Sequence, residues 1–195
     1  MKKLVLTLSA AACLSAAFAQ RSNVESAAIY LRNSEMKDAK QTIDQAAAHE
    51  ETKNDPKMWF YRTAIYDTIV HGKDYNALID NSTVEQFILA TQGCLQSDTK
   101  KKYEYYCGYA VINASFDAYN KAIEYAQKQE YNNAIKYYSY VLENMKWDKD
   151  GQLKKNNLSD KNVHLAIADA AYKDKNRPVA KEHLQKLMDV DYNDH

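Results

Sequence analysis

From Ala122 to Met145 the chain reads AIEYAQKQEYNNAIKYYSYVLENM. Small and aromatic residues recur three and four apart, a polar turn interrupts them, and the pattern resumes. That period belongs to amphipathic helices that turn one face to a core. The same alternation predicts helices at 22–33, 36–50, 56–70, 83–97, 101–129, 131–145, 160–173 and 176–190, the fifth long enough to kink at Gly108. Start signals support the boundaries. Ser22 with Glu25 and Thr83 with Gln86 have the capping-box spacing, and Asp55-Pro56 offers an N-cap followed by proline at the first helical position. With only 4 Gly and 2 Pro, the chain lacks the punctuation of a β-rich fold.

The helices fall into pairs that repeat one another. Ala122 precedes Tyr125, Ala134 precedes Tyr138, and the interval from Tyr125 to Tyr138 is 13 residues. Ala27, Tyr30, Ala39 and Ile43 repeat that layout, as do Ala168, Ala171, Ala180 and Leu184. Another pair begins with Trp59, Thr63 and Tyr66 and resumes at Phe87 and Ala90, with extra residues in the turn HGKDYNALIDNST. A small residue lets two helices approach, and the aromatic one turn away fills the gap between them.

This layout resembles the tetratricopeptide repeat, a helix-turn-helix unit of about 34 residues. The resemblance runs over residues 22–190 and is strongest at Ala122, Tyr125, Ala134 and Tyr138 and at Trp59, Thr63 and Tyr66. It departs at Ala118, Lys121 and Lys146, which stand where the family has tryptophan, leucine and proline. The resemblance implies an all-α fold of helix-turn-helix repeats stacked as a short TPR-like α-solenoid. Residues 20–195 would then form a single domain of about four degenerate helix pairs. An irregular helical bundle is the alternative. The family's partners lie in a groove lined by the first helix of each pair. By helical phase that groove implies Lys57, Phe60 and Asp67, then Phe116 and Tyr119, then Asn162, Asp169 and Tyr172 as partner-binding residues, a set suited to a peptide or protein segment.

The first residues, MKKLVLTLSAAACLSAAFAQ, have the layout of a secretory signal. Lys2 and Lys3 precede a short apolar run, and Ala17-Phe18-Ala19 is a small-x-small cleavage site. Residues 1–19 are therefore expected to be removed after Ala19, and the protein to be exported to the periplasm or beyond. A lipoprotein anchored at Cys13 is the rival reading. Cleavage removes two of the 26 basic residues and none of the 26 acidic ones, so the mature chain is nearly neutral. No basic excess points to nucleic acid or to an anionic membrane surface. Cys94 and Cys107 survive cleavage and flank a turn near 97–100. In an oxidising compartment an even count permits one disulfide; two small buried residues are the other reading.

The sequence lacks the spacings of the common catalytic and metal motifs. His49, His71, His164, His183 and His195 form no H-E-x-x-H pattern, His164 and His183 read as helix-face residues, and no glycine-rich phosphate loop appears. WDKDGQL lacks the full calcium-loop set and reads as a turn around Gly151. Tyrosine is the unusual residue, 16 in all. Tyr125 and Tyr138 sit at packing places, whereas Tyr103, Tyr105, Tyr106 and Tyr109 in KKYEYYCGY cannot all face one side of a helix. The expectation is a non-enzymatic, exported interaction scaffold for another envelope or secreted protein, needing no cofactor or metal. The alternative is a module for a peptide, glycan or small ligand that uses an aromatic groove.

Overall fold

The computed structural model describes residues 22–193. Residues 1–19, expected to form a secretory signal, lie outside the described residues, as do Cys13 within them and His195. Those described form nine α-helices and one 3-10 helix, with no strand among them. They are α1 (22–32), α2 (Met36–Ala47), α3 (Pro56–His71), a 3-10 turn (Lys73–Leu78), α4 (Thr83–Ser97), α5 (Glu104–Gln127), α6 (Tyr131–Met145), α7 (Gln152–Lys155), α8 (Asp160–Lys173) and α9 (Arg177–Asn193). None of these is long and apolar enough to cross a membrane. The chain divides into two compact units, one ending at Cys107 and the other beginning at Gly108.

Three hairpins share one turn. Backbone N–H groups of Glu35, Glu130 and Asn176 donate to the carbonyls of Tyr30, Tyr125 and Ala171. The residue before each donor, Ser34, Gln129 or Lys175, has a left-handed φ of 60–64°. This is the Schellman closure, which satisfies carbonyls left free at a helix end. The acceptors are the first-helix members of the 13-residue intervals, so that interval is one turn geometry used three times. The alanines behave alike. Ala27 and Ala39, Ala122 and Ala134, and Ala168 and Ala180 are all buried, letting each second helix approach the first. Leu184 breaks the pattern. It is 50% exposed, and His183, one residue earlier, takes the inward position.

In the first unit, Val24 and Ala27 of α1 share a core with Met36, Ala39, Ile43 and Ala46 of α2 and Met58, Ile65 and Ile69 of α3. Helix α3 also packs on α2 and α4. Trp59 lies where Gly93 of α4 has no side chain; a Cβ there would sit 2.5 Å from the indole. A polar network joins the same helices. Asp44 accepts from Lys40 at 3.2 Å, from Arg62 at 2.9 Å and from the Tyr66 hydroxyl at 2.9 Å, and Arg62 also donates to Gln86 at 2.8 Å. In the second unit α8 packs on α6 and α9. Tyr125 of α5 meets the buried Tyr137 of α6 with centroids 5.4 Å apart. Asn144 donates to Ser115 at 3.1 Å inside this unit.

The structure corrects some local expectations. Helix α2 stops at Ala47, and the buried Thr52 hydroxyl donates to the Ala46 carbonyl at its end. Thr83 and Gln86 form no capping box. Thr83 instead exchanges hydrogen bonds with Asp80, while Gln86 is taken by Arg62. Within HGKDYNALIDNST a 3-10 turn forms. In WDKDGQL the carboxylate of Asp148 accepts from the amides of Gln152 and Leu153, starting α7 just after Gly151 in the left-handed conformation.

Candidate functional site

Helix α3 begins cleanly. The carboxylate of Asp55 accepts from the Lys57 amide at 2.9 Å, and Pro56 fills the first turn. That start aims Lys57, Phe60 and Asp67 along one side of α3, toward the segment after α4. The segment is held from within. Asp98, buried, accepts from the amides of Lys102 and Tyr103, so its charge is spent on the turn that launches α5. Cys94 of α4 and Cys107 of α5 form a disulfide across the same turn, with Cα atoms 6.3 Å apart.

Phe60 stacks on Tyr103, with centroids 4.5 Å apart and planes 20° from parallel. It also meets Tyr61 and Tyr106 edge-on at 5.1 and 5.5 Å. The Tyr106 hydroxyl donates to Asp67 at 2.9 Å. Burial first, and then the neighbouring Asp67 charge, push that phenol above the usual tyrosine range. Asp67 also faces His71 at 2.8 Å. Lys57 is paired with Glu25 of α1, which raises its pKa against the opposing effect of burial.

Beside the Phe60–Tyr103 stack lies a cavity of about 450 Å³. Its walls include Asp55, Lys57, Asp98, Lys100, Lys102 and Tyr103. Both carboxylates already accept backbone amides, while Lys100 and Lys102 are exposed, Lys102 over the Tyr103 ring at 5.2 Å. An aromatic floor with cationic edges can hold a flat or extended group by stacking and direct its polar atoms by charge. Tyr105, two residues on, points outward and is 95% exposed.

The second unit treats its expected residues differently. Tyr119 packs on the buried Tyr138 with centroids 5.4 Å apart. The Tyr138 hydroxyl is pushed up to about 12 by burial, with smaller contributions from Tyr119 and Asp169. Asp169, which also pairs with Lys173 at 2.6 Å, therefore lies within electrostatic reach of that phenol. Asn162 is absorbed into the start of α8, its amide bonded to Ser159 and its side chain to the Asn157 carbonyl. Phe116 is half-buried, and Tyr172 is 75% exposed.

The structure thus gathers Lys57, Phe60 and Asp67 around residues 98–106, and Tyr119 and Asp169 around Tyr138. Tyr103, Tyr106, Asp98 and Lys102 were not among the expected binding residues. The dense tyrosine run KKYEYYCGY was the signal for Lys102, Tyr103 and Tyr106; Asp98, before that run, had none. No family model, curated protein or solved structure matches the chain.

Proposed function

We propose that this protein is an exported, non-enzymatic binding scaffold whose hairpins stack in the manner of tetratricopeptide repeats. Its working surface in the first unit is the Phe60–Tyr103 ledge with the lysine-edged cavity. The partner is an extended segment of another envelope or secreted protein. One observation carries the reading: a half-exposed aromatic stack, beside an open cavity, on a turn fastened by a disulfide and by Asp98. A surface so fastened loses little freedom when it binds, so contact energy is not spent on ordering it. The repeated turn and buried alanine pairs support stacked hairpins. The leader layout of residues 1–19 supports export, and a disulfide is at home in an oxidising compartment.

A small-ligand module is the second reading, favoured by the cavity volume, which falls in the range of small-molecule sites. A crosslinked pull-down from envelope extract tests the first. The bait is the chain from Gln20, beside a Phe60→Ala/Tyr103→Ala variant shown to remain helical. A protein captured by the wild type and lost by the variant supports the scaffold. Equal capture by both removes this ledge from the reading. Capture by neither, with a thermal midpoint raised by a peptide, glycan or metabolite panel, favours the small-ligand module.

A further inference from the structure

His164 of α8 and His183 of α9 are both buried, 7% and 8% exposed. Their Nδ1 atoms stand 2.8 Å apart, and their ring centroids 4.8 Å. A separation of that length holds a single hydrogen, donated by one nitrogen to the lone pair of the other. The far side of His164 sets the direction. Its Nε2 faces Asp160 at 3.3 Å, which favours the hydrogen on Nε2 and leaves Nδ1 as the acceptor. His183 is then the Nδ1–H donor. One added proton is accommodated, because an imidazolium can donate across the same contact. Two are not, because both Nδ1 atoms would carry hydrogens pointing at each other.

The surrounding charges oppose one another: Asp160 and Glu182 favour protonation and Lys186 disfavours it. Asp160 acts from α8, and Glu182 and Lys186 act from α9, where they pair with each other at 2.8 Å. Helix α6 also packs on α8, but the charges that chiefly shift the two rings stand on α8 and α9. Burial is the largest influence on both histidines and lowers both from 6.5. The folded hairpin therefore binds fewer protons than the unfolded chain below pH 6.5. Its stability is fully present above that pH and is lost as pH falls.

We infer that the His164–His183 contact is a proton-limited latch on the α8–α9 hairpin: closed while the neutral pair has gained at most one proton, opened by a second. It gives the α8–α9 hairpin a response to mild acid.

Hydrogen exchange on the chain from Gln20 tests this at pH 7.5 and 5.0, corrected for intrinsic rates. Each proton excluded by the fold lowers the closed-to-open ratio by about 30-fold over that interval. Protection across α8 and α9 should fall by at least that much relative to α3 and α4. In His183→Gln, the side-chain carbonyl accepts from a doubly protonated His164, and the differential fall should shrink below about 3-fold. A second readout needs no variant. Nitrogen chemical shifts of the wild-type rings should show one shared proton and hydrogen on His164 Nε2 at pH 7.5. The latch is overturned by equal pH loss in wild type and variant, by no loss in the wild type, or by both rings protonating independently while protection persists.

Discussion

Removing the Cys94–Cys107 bond should weaken the first unit by an amount its loop length sets. The two residues are 13 apart, and both side chains are fully buried. Without the bond, the unfolded chain regains the freedom of a loop of that size, which is about 3 kcal/mol at room temperature. The folded turn should survive the loss. Asp98 still holds the amides of Lys102 and Tyr103, and Phe60 still stacks on Tyr103. Stability should therefore fall while the native shape persists. Because both sulfurs are buried, reduction is done in denaturant, followed by refolding in reductant. Urea unfolding of oxidised and reduced protein, followed by far-ultraviolet dichroism and by exchange in α3 and α4, gives the difference. A Cys94→Ala/Cys107→Ala chain should lose somewhat more than the reduced one, since it also loses buried volume. A difference under about 1 kcal/mol with unchanged urea slope would refute the loop-entropy reasoning, because the turn would then be equally restricted without the bond.

Other perturbations follow from single contacts. Gly93→Ala drives a Cβ into the Trp59 indole, at a cost of about 1–3 kcal/mol set against roughly 1 kcal/mol of helix propensity, so net destabilisation with altered tryptophan emission is expected in urea melts. Gln129→Gly relieves a left-handed residue in the α5–α6 turn and should raise stability by about 1 kcal/mol, read as a higher urea midpoint at constant slope. The Tyr106 phenol is held above the ordinary tyrosine range by the fold, so stability should decline as pH climbs above about 10, where the unfolded phenol ionises. Asp67→Asn should reduce that decline in alkaline unfolding curves.

Much of the helical architecture was legible because its causes are local. A 3.6-residue period, the Asp55-Pro56 start and the polar turns place α3, α6 and α8 with little reference to the rest of the chain. The spacing of Ala27, Tyr30, Ala39 and Ile43 was legible for the same reason: a Schellman turn consumes a set number of residues whichever helices it joins. The misses have the opposite character. Thr83 lost its capping role because Asp80 was nearer and Arg62 claimed Gln86. Asp148 could start α7 only because the chain curls back around Gly151.

The candidate site shows the division most sharply. That Lys57, Phe60 and Asp67 share a side of α3 follows from helical phase alone. That Tyr103 and Tyr106 meet them, while Tyr105 faces solvent, depends on how α5 leaves the disulfide turn, a relation between segments distant in sequence. Leu184 and His183 differ by one residue, about 100° around a helix, and only packing decided which turned inward. The sequence by itself determined helices, hairpin turns and the small residues between them, because hydrogen bonding and side-chain volume act over a few residues. Which aromatic rings stack, which carboxylates are spent on amides, and that two histidines 19 apart share one proton were decided by tertiary structure, because those interactions exist only once separate helices have met.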